Sequence, residues 1–139
     1  MDSTMPVPCV LCFHKHKASA RTRFLCYGNT VLSGAGLPEG GQLRAATATM
    51  RPHPAQHLKS VEEKLGIAGG SLRYEPEFSV EVDTANGPVA ILLAEFTDFE
   101  PPIKAASAVG ARFIALTEAR GLPAVELDLL RKAYELLIG

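Results

Sequence analysis

From Arg73 to Asp83 apolar and polar residues alternate, with Tyr74, Phe78, Val80 and Val82 set against Arg73, Glu75, Glu77, Ser79, Glu81 and Asp83. A period of two, rich in aromatic and β-branched residues, predicts a half-buried strand. The run Val89 to Phe96 is apolar at nearly every position and predicts a more interior strand. Together they read as a β-hairpin within residues 72–99, joined through Thr84-Ala85-Asn86-Gly87-Pro88. Asn86-Gly87 by itself points to a two-residue turn. In that turn, however, residue 88 would donate an N–H to the Ala85 carbonyl, and proline has none. A three-residue loop with Gly87 left-handed is therefore expected. That register places Val82 opposite Ala90, Val80 opposite Leu92, Phe78 opposite Ala94 and Pro76 opposite Phe96, giving one apolar face. The other face then holds Glu77 opposite Glu95, with Glu75, Glu81 and Asp83 alongside and Val89, Ile91 and Leu93 between them.

Elsewhere the pattern changes to helical spacing. Leu58, Val61 and Leu65 form one stripe over Ala55 to Leu65, with Pro54 in the first turn and Gly66 as a left-handed stop. After Pro101-Pro102, the residues Ile103, Ala106, Gly110, Phe113 and Thr117 recur at helical spacing, predicting a helix over 102–120. Gly110 weakens that reading, and Phe113 to Thr117 alternatively makes a short strand. Pro123 opens a last helix over 123–138, its wide apolar face made by Val125, Leu129, Leu130, Ala133, Leu136 and Leu137. The last two helices would form an αα-hairpin across Arg120-Gly121-Leu122-Pro123. Arg21 to Leu32 and Leu43 to Met50 are strand candidates, and the glycine-rich Ser33 to Gln42 is a loop. The fold class expected is α+β, an antiparallel sheet built around the 72–99 hairpin and packed on one face by about three helices. Residues 51–139 would be the compact domain. Residues 1–50 would be a basic N-terminal arm or added strands, partly disordered.

Charge sharpens this division. The whole chain of 139 residues has a net charge of −1, yet residues 1–60 carry seven Lys/Arg against only Asp2 and Glu39. Residues 61–139 carry seven against thirteen acidic groups. Such a split predicts a basic arm lying on the chain's own acidic sheet face, or on that of a second copy. An overall acid excess and the absence of Trp argue against a nucleic-acid platform, although Lys15, Lys17, Arg21 and Arg23 lie near Phe13 and Phe24. The longest uncharged apolar run, Pro88 to Ala94, is far short of the roughly 20 residues that span a bilayer. No secretory leader is recognisable, and an odd number of cysteines suits a reducing cytoplasm better than a disulfide framework.

Two groups of side chains have the chemistry of a metal site. Cys9, Cys12, His14 and His16 combine CxxC spacing with following imidazoles, a zinc-compatible set, with Cys26, His53 and His57 as looser additions. The Glu77 and Glu95 pair would suit a harder cation or acid–base work. Against these, Gly34-Ala35-Gly36 lacks phosphate-loop spacing, and neither Ser33 nor Ser71 sits in a nucleophile elbow. With no nucleophile–base or cofactor motif, the expectation is a cytoplasmic, non-enzymatic binding or interaction protein. It would self-associate as a homodimer through Val89, Ile91 and Leu93, and need no cofactor. The alternative is a metal-binding protein or metal-dependent enzyme that uses the Cys/His group, with zinc, or the Glu77/Glu95 pair.

Overall fold

A computed structural model describes residues 8–33, 41–45, 54–85 and 87–138. Among these residues eight strands form a single mixed sheet. The strands are β1 (Cys9–Lys15), β2 (Thr22–Tyr27), β3 (Leu32–Ser33), β4 (Gln42–Ala45), β5 (Leu72–Tyr74), β6 (Val80–Thr84), β7 (Gly87–Phe96) and β8 (Ala111–Ile114). Three helices accompany them: α1 (Pro54–Leu65), α2 (Ile103–Ala108) and α3 (Ala124–Ile138). The sheet order is β4-β6-β7-β1-β2-β8, with β3 extending the β2 side of β1 and β5 extending the β6 side of β7. All pairings are antiparallel except β1 with β7, which run parallel from Cys9 opposite Ile91 to Phe13 opposite Glu95.

The sheet is therefore mixed, where a purely antiparallel one was expected, and its helices cover both faces instead of one. Alternation along each strand explains why. Cys9, Leu11, Phe13, Phe24, Cys26, Val80, Val82, Val89, Ile91 and Leu93 belong to one buried cluster with Leu129, Leu130 and Ala133 of α3. Val10, Cys12, Leu25, Leu92, Ala94 and Phe96 belong to the other, with Leu58, Val61 and Leu65 of α1 and Ala106 of α2. A central strand in such a sandwich must be apolar on both faces, which is what β1 and β7 are. The segment read as an arm or added strands thus supplies β1 at the centre of the sheet. Residues 1–7, 34–40 and 46–53 lie outside the described residues, and with them His53 and parts of the loop and strand expected over 33–50.

The β6–β7 hairpin closes one residue away from the expected register. Thr84 faces Gly87, Asp83 faces Pro88, Val82 faces Val89 and Val80 faces Ile91. Pro88 then lies next to the closing Thr84–Gly87 pair, where the alternating ladder asks no N–H of it. A one-residue slip turns every side chain of the partner strand over. Val89, Ile91 and Leu93 accordingly share the α3 face with Val80 and Val82 and are nearly inaccessible. The αα-hairpin is likewise absent. Gly110 adopts φ +78°, ends α2 after six residues, and delivers Ala111–Ile114 to the edge of β2 as β8. A 3-10 turn at Leu116–Glu118 follows, and α3 packs on the other side of the sheet from α2.

Two buried carboxylates tie this frame together. Glu62 of α1 accepts hydrogen bonds from the Gly70 and Leu72 amides at 3.0 and 2.8 Å, fixing the loop that follows the helix. That helix ends with Ile67 N–H bonded to Glu62 O and Gly66 N–H to Glu63 O, a Schellman motif around Gly66 at φ +71°. Glu126, in the first turn of α3, accepts from the Val31 amide at 2.8 Å and from the Thr30 hydroxyl at 2.9 Å. No helix among the described residues is long and apolar enough to cross a membrane.

Candidate functional site

Parallel pairing of β1 and β7 brings the carboxyl ends of two strands side by side, the place where sheets of this kind hold ligands. Here β1 leads into His14 and His16, and β7 leads into Asp98, Phe99 and Glu100. His14 and Arg23 are cross-strand partners in β1 and β2, and even-numbered residues of β1 share a face with odd-numbered residues of β2. The turn between the two strands folds back so that Ser19 and Arg21 join the same edge. The result is a pocket of about 350 Å³ lined by His14, His16, Ser19, Arg21, Arg23, Glu100, Pro101 and Ile103. That volume falls at the small end of ligand sites.

The two imidazoles are held in defined roles. His14 is buried, and its Nε2 lies 2.9 Å from the Asp98 carbonyl oxygen. A carbonyl only accepts, so Nε2–H donates and the other ring nitrogen of the neutral ring is an acceptor. In His16, Nδ1 accepts from the Ala18 and Ser19 amides at 3.3 and 3.4 Å, so Nε2–H donates to Glu100 Oε2 at 3.2 Å. His16 thus organises the turn, and Ala20 within it takes φ +59°. The Phe99 ring meets His16 edge-on at 4.6 Å. Glu100, the carboxylate of this pocket, is therefore committed to His16. The guanidinium groups of Arg21 and Arg23 form no ion pair or hydrogen bond among the described residues.

Two other hollows have less to offer. A larger one, about 520 Å³ between α1 and β5, has Glu62 and Arg73 as its charged residues. Glu62 is spent on backbone amides and Arg73 on Glu95. In a third, of about 240 Å³, Ser60 donates to the Gln56 carbonyl of its own helix, and Lys64 lies 5.0 Å over the Tyr27 ring.

The residues singled out from sequence are distributed differently. Cys9 and Cys12 are three apart on a strand, so they point to opposite faces, Cys9 toward α3 and Cys12 toward α1 and α2. CxxC spacing converges on a metal only from a turn or helix, and here it does not bring the sulfurs together. His14 and His16 do share a face, with ring centroids 6.1 Å apart. Glu77 and Glu95 do not oppose each other: β5 pairs with β7 so that Arg73 faces Glu95 and forms an ion pair with it. Glu77 falls outside the ladder in the turn between β5 and β6, where its amide bonds back to the Glu75 carboxylate. Glu81 and Asp83 stand opposite Arg44 and Gln42 of β4. The continuous acidic face comprising Glu75, Glu77, Glu81, Asp83 and Glu95 is therefore broken up by the register. No three of His, Cys, Asp and Glu among the described residues are grouped as a metal site requires. Arg21 and Arg23 were legible only as part of a basic run. Their alternation around Thr22 was the available signal that both would reach one face.

Burial pushes the Cys12 thiol from its ordinary value near 9 up to about 12, and burial also raises Cys26. The folded protein keeps the Cys12 proton where the unfolded chain, with the ordinary thiol value near 9, loses it. The unfolded state then binds fewer protons, so stability is full below about pH 9 and falls as pH rises toward 12. Between pH 8 and 10 the expected loss from Cys12 is about 1 kcal/mol. Urea titrations at both pH values should show it in the wild type and show less in Cys12→Ala. Iodoacetamide at pH 8 should leave Cys12 of the folded protein unmodified.

No protein-family model matches this chain, and no curated protein matches it either.

Proposed function

We propose that this protein is a non-enzymatic binding protein that holds a small oxyanion, a carboxylate or a phosphate, in the pocket between His14, Arg21 and Arg23. The observation that carries the reading is the pair of arginines lining the pocket, whose guanidinium groups have no acidic partner among the described residues. Each presents five N–H donors in a planar fork matched to carboxylate and phosphate oxygens. The Ser19 hydroxyl and the turn set by His16 add positioned polar groups. All three cysteines are buried thiols, which accords with action in a reducing cytoplasm. The homodimer expectation rested on Val89, Ile91 and Leu93 and loses that basis, since α3 covers them.

Titration calorimetry with inorganic phosphate and with acetate at low ionic strength tests the proposal. Saturable binding is expected for at least one of them, weakened about 10- to 100-fold in Arg23→Ala, the equivalent of one charged hydrogen-bonded contact. Binding should also weaken with added salt. Equal affinity in the wild type and in the Arg21→Ala/Arg23→Ala double variant would overturn it, as would absence of binding.

A further inference from the structure

Among the described residues few large apolar side chains are exposed, and of these Ile103 lines the pocket while Phe99 touches one of its lining residues. Phe99 is 54% exposed and Ile103 57% exposed. Ile103 lines the pocket, and Phe99 rests its ring against His16, which also lines it. Exposed apolar residues are uninformative when scattered, but a cluster rimming polar groups marks a binding surface. Here the two residues border a hollow that Arg21 and Arg23 also line. The buried Pro101 continues the apolar side. Neither Phe99 nor Ile103 belongs to either core cluster, so folding alone does not account for an aromatic and a branched side chain held at this mouth. A lining that combines positive charge with apolar surface selects a ligand with both properties.

Resting on the oxyanion reading above, we infer that the ligand is amphiphilic: a compact anionic group held by Arg21 and Arg23, joined directly to a flat apolar group that covers Phe99 and Ile103. The pocket volume of about 350 Å³ suits a single ring with its anionic substituent. Aromatic rings stack edge-on or offset against Phe and gain from covering it. An unsubstituted anion would satisfy the guanidinium groups and leave that surface in water.

Inorganic phosphate and phenyl phosphate, compared at pH 8 where both are largely dianions, separate the two ideas. Phenyl phosphate is expected to bind the wild type about tenfold more tightly than phosphate, roughly the gain from covering part of one ring. In Phe99→Ala and, independently, in Ile103→Ser, the ratio of the two affinities should fall toward one. Ile103→Ser guards against a trivial loss, since it does not touch the Phe99–His16 contact that borders the turn. Equal affinities in the wild type, or an intact ratio in the Phe99→Ala/Ile103→Ser double variant, would overturn this inference and leave the oxyanion reading standing. If neither compound binds, this inference fails, and if acetate fails to bind as well, the oxyanion reading fails with it.

Discussion

Replacing Phe24 with alanine is expected to lower the free energy of unfolding by about 3–5 kcal/mol, the range for removing a fully buried ring without collapse of its site. Phe24 is wholly inaccessible and is paired across the sheet with Phe13 on one side and Ile114 on the other. It belongs to the cluster that α3 closes with Leu129 and Leu130, both also at 0% exposure. Six strands and a helix contribute to this cluster, so no neighbour can move inward without breaking backbone ladders. Domains of this size are stable by only about 5–15 kcal/mol, and the variant should therefore unfold at a much lower urea concentration. Ile138→Ala, at a position 63% exposed, should shift the same midpoint by no more than about 0.5 kcal/mol. A Phe24→Ala protein as stable as the wild type would mean that β2 is not buried under α3.

Removing Glu126 should be nearly as damaging. Its carboxylate is buried in the first turn of α3 and accepts from the Val31 amide and the Thr30 hydroxyl, both on the chain between β2 and β3. Glu126→Ala leaves the Val31 N–H, at a residue 1% exposed, without its partner. A hydrogen bond to a charged group contributes about 1.5–3 kcal/mol, and an orphaned buried donor adds its own desolvation cost. A loss of about 3 kcal/mol is expected for the alanine variant. Glu126→Gln keeps an acceptor oxygen for Val31 and should lose less, and Thr30→Val should lose less again, because the Val31 bond survives. Urea unfolding of the three variants gives that ranking. If Glu126→Gln proves as unstable as Glu126→Ala, the negative charge and not the geometry is what matters.

Both effects depend on α3 reaching the far side of the sheet, and the path to that arrangement was hidden in a short stretch of sequence. Residues 103–117 recur at helical spacing, yet α2 stops after six residues. Its small residues bury little, so a helix continuing through Gly110 would gain less than β8 gains by completing the ladder on β2. Edge pairing is a property of the assembled sheet, and a local period does not record it.

The helix from Pro54 to Leu65, its stop at Gly66 and the strand character of residues 80–84 and 89–96 were all determined by the sequence, because periodicity and left-handed glycines act on near neighbours. The amphipathic last helix was too, since its apolar face needs only four turns to declare itself. Three things were decided by the tertiary structure. Pro88 is compatible with more than one loop, so the register of the hairpin follows from which face of β7 α3 must cover, and a slip of one residue moved Val89, Ile91 and Leu93 from surface to core. The parallel pairing of β1 with β7 joins segments about eighty residues apart, and only that contact places His14 against Asp98 and His16 against Glu100. The candidate pocket is the third, for Arg21, just before β2, and Arg23 on it line one hollow with those histidines only through a juxtaposition that depends on chain topology and leaves no periodic trace.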